Sequence, residues 1–150
     1  MFTALQLIGI TLVALVVGIY WGPWVALTRS IPSLPIEVFL PVVRLLNDNL
    51  ARLMTVLVPV ALLAQVGLLI VDFQNPLPFT LAAIAFLLFV ITVVVTVLIE
   101  VPIVKQFIGW QVETVPFTWM ALRDRWLSFH LLRVIPGVAA LVLYLAAAIL

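Results

Sequence analysis

The feature that most constrains this chain is a series of long stretches without a charged residue. Four such stretches occupy residues 1–28, 53–71, 73–99 and 134–150. A helix needs about 20 apolar residues to cross the core of a bilayer, and a backbone in lipid must satisfy its hydrogen bonds internally. We therefore predict an all-α fold, an integral membrane bundle of four transmembrane helices that forms one domain over residues 1–150. The predicted spans lie at about residues 4–27, 48–71, 78–101 and 126–149.

The composition is typical of a protein whose solvent is lipid. Hydrophobic residues make up 67% of the 150 residues and charged residues 9%, whereas a soluble domain is about half apolar and a quarter charged. A net charge of +1 without a basic cluster argues against binding to nucleic acid. The chain has no cysteine and one histidine. No ligand pattern indicates a metal site or a cofactor, and we predict neither.

Helix length and basic residues together predict an orientation. If the second helix begins at Pro41 and the fourth near Thr118, both are longer than the bilayer requires, with the excess on the same side. Six of the seven Lys and Arg residues lie in or beside the first and third loops, and the seventh, Arg133, lies inside the fourth helix near the same membrane face. The positive-inside rule then places these loops in the cytoplasm and both termini outside a cell membrane. Helices two and four are therefore expected to extend into the cytoplasm.

The fourth predicted helix carries its polar and aromatic residues on one face. At about 100° per residue, an arc of roughly 80° holds Trp119, Arg123, Trp126, His130 and Arg133. Ionisable residues at membrane depth usually face the bundle interior or a water-filled cavity. The alternative is that they anchor the helix at the membrane interface, where Trp side chains and snorkelling Arg side chains are common.

The third predicted helix has a polar residue at the matching depth. Thr92, Thr96 and Glu100 are spaced by four and share a face. The threonine hydroxyls are expected to bond back to their own helix. An unpaired carboxylate at that depth would be unfavourable, so we expect Glu100 to pair with His130 or Arg133 across the bundle.

Helices one and two bring further candidates to the same level. Tyr20 and Trp24 lie near the end of the first span, and Asn47 lies near the start of the second. The aromatic residues are either interfacial anchors or the wall of a pocket for a flat apolar ligand. Deeper in the second span, Gln65 is expected to hydrogen-bond to a neighbouring helix.

The segments EVPIVKQFIGW (100–110) and PFTWMALRDRWLSFHLLRV (116–134) resemble a family of small four-helix integral membrane proteins that includes anthrone oxygenases. Most members of that family have no assigned function. The family has a short Asn-x-Pro element after its third helix, here represented by Pro102, and the same Trp, Arg, Trp, His and Arg stripe on its fourth. One departure is Glu100, which stands where the family commonly has Asn.

The resemblance implies an oxygenase or oxidoreductase that uses no cofactor. Its substrate would be a flat lipophilic molecule, a polycyclic phenol or a quinone-like compound, taken from the inner leaflet. His130 would accept a proton, Arg133 and Arg123 would stabilise an oxyanion, and Glu100 would orient them. The predicted substrate-binding residues are Trp24, Tyr20, Asn47, Trp119 and Trp126.

Two other functions fit the same residues. In a non-catalytic membrane subunit or scaffold, the polar cluster would lock the bundle and the space around it would be filled. In a lipophile-binding carrier, a pocket would exist but no proton acceptor would be needed. The expected partners are membrane lipids and a lipophilic small molecule, and the chain would act as a homo-oligomer or with a partner subunit.

Overall fold

The computed structural model describes residues 4–150, which are almost entirely helical. The helices are α1 (Ala4–Leu27), α2 (Ile36–Val71), α3 (Pro76–Val95), α4 (Val101–Gly109) and α5 (Trp119–Ile149). A π-helical turn at Thr96–Glu100 joins α3 to α4, so the two form one rod. Short 3₁₀ turns at Ile31–Ser33, Asp72–Gln74 and Val112–Thr114 lie in the connections. The all-α prediction is confirmed.

Each of the four rods is long and apolar enough to cross a membrane. The candidate spans are Ala4–Leu27, Ile36–Gln74, Pro76–Gly109 and Trp119–Ile149. Large apolar side chains remain exposed along their outer faces, among them Leu63, Ile70, Leu98 and Ile149. A soluble monomer seldom exposes apolar surface on this scale. The fold is that of an integral membrane protein with four spans.

Helix α5 lies at the centre of the packing, against both α3 and α1, while α2 lies against α1 and the α3–α4 rod. Small buried residues let α3 and α5 approach closely, as is usual between helices in lipid. At Gly137, for example, an added Cβ would meet Val17 at 3.4 Å and Thr92 at 3.6 Å. The predicted bond of Gln65 to another helix is confirmed, since the Tyr144 hydroxyl donates to Gln65 Oε1 at 2.6 Å.

A second core fills one end of the bundle. Its buried residues are Ile31, Phe39, Leu40, Val43, Ile103, Phe107 and Trp126. Ile31 lies in the 3₁₀ turn before α2, and the others come from the start of α2, from α4 and from the start of α5. These helix ends are therefore packed against one another.

Helix α2 begins at Ile36, one turn earlier than the predicted start at Pro41. Pro35 is extended and its carbonyl accepts the amide protons of Val38 and Phe39, so the first turn forms without Pro41. The Pro41 ring is exposed, as is Glu37, whose carbonyl loses a bonding partner because proline has no N–H. Starting the helix early places Phe39 in the second core.

The helix also continues beyond the predicted third span, to Gly109. Pro102 lacks the N–H that would continue the α-helical pattern. The backbone accommodates this with a π turn, in which the Val101 N–H donates to the Thr96 carbonyl. Turns of this kind inside helices frequently occur at functional sites. Here the π turn ends at Glu100, whose side chain is buried.

Candidate functional site

A cavity of about 640 Å³ lies between α2 and the other rods, beside the end of the α3 span. Most of its wall is apolar and includes Val43, Leu46, Leu50, Met54, Val58, Val93 and Leu127. Thr55 and Pro59 of α2 and Val97 and Val101 of the α3–α4 rod also line it and are exposed. The cavity therefore opens between these two rods. Its size lies in the range of sites that hold small molecules.

One end of the cavity is polar and brings three predicted site residues together. Glu100 Oε2 lies 3.3 Å from an Arg133 guanidinium nitrogen and 3.8 Å from His130 Nδ1. Glu100 is only 2% exposed, so its charge is held away from solvent. The predicted pairing of Glu100 across the bundle is confirmed, and its partner at ion-pair distance is Arg133.

The hydrogen bonds of His130 define its protonation. Nδ1 lies 2.7 Å from an Arg133 guanidinium nitrogen, which can only donate. Nδ1 must therefore carry a lone pair, and Nε2, 3.0 Å from the backbone carbonyl of Tyr20, must carry the proton. His130 is the neutral Nε2–H tautomer, and both of its nitrogens are engaged. It has no free lone pair with which to act as the predicted proton acceptor.

Arg133 is held by several groups at once. Its guanidinium lies over the ring of Tyr20, 4.4 Å from the centroid, and it donates to Thr96 Oγ1 at 3.5 Å. Thr96 has one hydroxyl proton, which it gives to the Thr92 carbonyl at 2.8 Å, as predicted for a threonine in a helix. Thr96 Oγ1 is then an acceptor, also 3.4 Å from the Tyr20 hydroxyl. Tyr20 thus contributes its ring, its hydroxyl and its carbonyl to this cluster.

Several polar atoms of the cluster are buried but unbonded. Within residues 4–150, Glu100 Oε1 and Oε2, Arg133 Nε and Trp126 Nε1 have no hydrogen-bond partner. Most buried polar groups in proteins are bonded, and an unsatisfied one is unfavourable. All three of these residues line the cavity. The residues of the cavity wall thus hold two acceptors and two donors that no protein group in the described structure satisfies.

Two predicted residues of the α5 stripe belong to the second core. Trp119 packs with its ring centroid 5.6 Å from that of Phe39. Arg123 lies over the Trp119 ring at 5.2 Å, donates to the Pro32 carbonyl at 3.0 Å and forms an ion pair with Asp124 at 2.8 Å. Both residues therefore belong to the packed helix ends of the second core, and the structure does not bring them to the cavity.

Trp126 belongs to both regions. It is buried against Phe39 and Phe107, with centroids 6.3 Å and 6.0 Å away, and it meets the His130 ring at 6.1 Å. It also lines the cavity. Trp126 separates the aromatic core from the polar end of the cavity.

The other predicted binding residues are divided. Tyr20 and Asn47 line the cavity, Asn47 from the α2 wall. Trp24 instead lines a smaller recess of about 150 Å³, together with Arg29 and neighbours on α1, and its ring lies 5.1 Å from that of Trp21. This position is compatible with the interfacial anchoring that the sequence also suggested.

Sequence reasoning missed the apolar wall that α2 contributes, including Ala51 and Met54, and the Lys105 side chain at the exposed rim. Residues such as Ala51 resemble any lipid-facing position, so only the hydrogen-bonding Asn47 gave a signal. Among residues 4–150, no group of three or more His, Cys, Asp and Glu side chains is arranged to hold a metal ion.

Comparisons of the chain with protein-family models, with curated proteins and with solved structures found no match. The site must therefore be interpreted from its own geometry.

Proposed function

We propose that this protein binds a flat lipophilic small molecule, taken from the membrane, in the cavity between α2 and the α3–α4 rod. The observation that carries the proposal is the cavity itself, about 640 Å³ with an apolar wall and a polar end. A cluster that only locked a scaffold would be surrounded by packed side chains. Here the space in front of Glu100, His130 and Arg133 is open.

The position of the opening supports lateral access. The exposed lining residues Thr55, Pro59 and Val97 lie within helices long enough to span, on a side that lipid would cover. A lipophile dissolved in the bilayer would reach the cavity without crossing water.

The distribution of basic residues supports the inner leaflet as the source. Lys and Arg lie towards the α1–α2 and α4–α5 connections, which the positive-inside rule assigns to the cytoplasm, with both termini outside. The polar end of the cavity, at His130 and Glu100, lies towards the same side. In this orientation the second core, and with it the projecting parts of α2 and α5, is cytoplasmic.

An anthrone-oxygenase-like activity is the second candidate, favoured by the adjacent carboxylate and guanidinium of Glu100 and Arg133. In such a reaction a CH₂ group between aromatic rings and O₂ give a C=O group and water. The protein would take a proton from the substrate and stabilise the oxyanion that forms. Because both nitrogens of His130 are engaged, the carboxylate of Glu100 is the better placed base, and Arg133 would stabilise the oxyanion.

The binding proposal is tested with pyrene, a flat apolar fluorophore, and the protein in lipid nanodiscs. Excitation of the tryptophans should produce saturable energy transfer to pyrene, above the level of empty nanodiscs. Ala51→Phe, which adds bulk at the cavity wall, should weaken binding at least about tenfold. The control Val56→Phe adds a ring on an outward, 63% exposed position of α2 and should leave binding unchanged. Absent saturation, or an equal response of the two variants, would refute the proposal.

The catalytic candidate has a separate measurement. Oxygen uptake with anthrone should exceed the uncatalysed rate in nanodiscs that contain the protein and fall with Glu100→Gln. If pyrene binds at the cavity but no oxygen uptake is catalysed, the protein is a binding protein or carrier.

A further inference from the structure

The unbonded carboxylate of Glu100 indicates which chemical group a ligand in the cavity should present. Both of its oxygens are buried without a hydrogen-bond partner in the described part of the chain, although a carboxylate can accept several hydrogen bonds. Among residues 4–150 the nearest cation is the Arg133 guanidinium, 3.3 Å from Oε2. Glu100 is 2% exposed and belongs to the cavity wall, so a molecule inside the cavity that reaches this carboxylate would complete its bonding.

The neighbouring unbonded atoms are donors. Arg133 Nε and Trp126 Nε1 are buried and unpartnered in the same wall. A ligand group that donates to Glu100 and accepts from either of these satisfies both kinds of atom. A hydroxyl does this, since it has one donor hydrogen and two acceptor lone pairs. A carbonyl or an ether has no hydrogen to give and leaves the carboxylate unbonded.

The charges around the cavity indicate a neutral ligand. Glu100 and Arg133 balance each other, and His130 is neutral by its hydrogen bonds. An anionic ligand at this end would meet the Glu100 carboxylate, and a cationic one would compete with Arg133. Lys105, the remaining charged residue of the wall, is exposed at the rim and can turn towards water.

We propose that the cavity selects neutral lipophiles that carry a hydroxyl group, with Glu100 as the acceptor that determines this specificity. The inference rests on the proposed lipophile-binding function and adds the chemical class of the ligand. It predicts that the apolar wall supplies general affinity, while Glu100 distinguishes ligands of the same shape.

The test uses pyrene derivatives that share one flat body: pyrenemethanol, its methyl ether, pyrenemethylamine, pyrenecarboxylic acid and pyrene. With the wild-type protein in nanodiscs, the alcohol should bind roughly ten- to a hundredfold more tightly than the methyl ether, the range expected for a buried bond to a charged acceptor. The cationic amine and the anionic acid should both bind more weakly than the alcohol. Equal binding of alcohol and ether, or tightest binding of the amine or the acid, would overturn the proposal.

The variant Glu100→Gln removes the charge and leaves a weaker acceptor. It should reduce the ratio of alcohol to ether affinity towards one. The matched control Glu113→Gln makes the same change at an exposed carboxylate outside the cavity and should keep the wild-type ratio. A ratio unaffected by Glu100→Gln would contradict the role of Glu100.

The two proposals fail differently. If no pyrene compound binds saturably, the lipophile-binding function is itself refuted. If all bind and respond to Ala51→Phe but show no preference for the alcohol, only the selectivity for hydroxyl groups is refuted. Should Glu100→Gln lose pyrene binding through misfolding, the comparison of alcohol and ether on the wild-type protein still decides the question.

Discussion

Replacing Arg133 by Leu should destabilise the protein strongly, and removing Glu100 as well should restore part of the loss. Alone, Arg133→Leu leaves a carboxylate that is 2% exposed without a cation and without a hydrogen bond in the described structure. Breaking a buried ion pair from one side typically costs about 3–5 kcal/mol. The change also removes the donor to His130 Nδ1, which adds about 1–3 kcal/mol. We expect a total loss of roughly 4–8 kcal/mol in the free energy of unfolding.

Glu100→Gln should be milder, because Arg133 keeps its bonds to His130 and Thr96 and its position over the Tyr20 ring. We expect a loss at the lower end of the range, about 3 kcal/mol, from the charge left unpaired. The double variant has neither buried charge and loses mainly the bond to His130. Its loss should therefore be smaller than that of Arg133→Leu alone, and the two single losses together should exceed it by at least about 2 kcal/mol.

The measurement is a double-mutant cycle by SDS-induced unfolding in mixed micelles, followed by tryptophan fluorescence or circular dichroism. The matched control cycle combines Glu100→Gln with Arg123→Leu, because Arg123 bonds to Pro32 and Asp124 and shares no partner with Glu100. That cycle should be additive within about 0.5 kcal/mol. Additive losses for the Arg133 cycle would refute the reasoning, since they would mean that the two charges do not interact.

Three further predictions concern the rest of the fold. Single cysteines introduced at Ser33 and Gln74 should be labelled from opposite sides of the membrane, and labelling from one side would contradict the four-span topology. Tyr144→Phe should lower the free energy of unfolding by about 1–3 kcal/mol, because Gln65 Oε1 loses its donor inside the span; an unchanged unfolding curve would contradict this. Phe107→Ala should lower the free energy of unfolding by about 3–5 kcal/mol, because Phe107 is fully buried in the second core. A loss below about 1 kcal/mol would show that the helix ends in this core do not pack against one another.

The sequence was sufficient for the features that depend on composition and on depth along a helix. Long uncharged segments in lipid can only be helices, so four spans followed directly. Glu100 and Arg133 lie at matching depths on neighbouring spans, and a buried charge needs a partner, so their pairing was predictable. The same reasoning correctly gave Gln65 a partner on another helix.

The sequence was insufficient where the outcome depends on distances between helices. A helical wheel gives the direction of a side chain but not what faces it at each height. Trp119 and His130 share a face of α5, yet Trp119 meets Phe39 in the second core while His130 meets Tyr20 beside the cavity. The cavity itself depends on the distance between α2 and the α3–α4 rod, and this distance cannot be predicted from a pattern of residues. The π turn was missed because the residue pattern around Pro102 does not show how the backbone accommodates the missing N–H.

A comparison of two buried polar pairs in the bundle shows why ligand binding explains the Glu100 cluster better than a purely structural role in holding the helices together. Tyr144 and Gln65 join two spans by a 2.6 Å bond and are both almost fully buried. That neutral pair already holds two helices together without a buried charge. It leaves only one amide nitrogen, Gln65 Nε2, unbonded in the described structure. The ion pair of Glu100 and Arg133 places two charges in the bundle and leaves three of their polar atoms unbonded beside an open cavity. Apolar replacements of a buried ion pair often stabilise a protein, so stability alone gives little reason to keep these charges, whereas a ligand that bonds to them does.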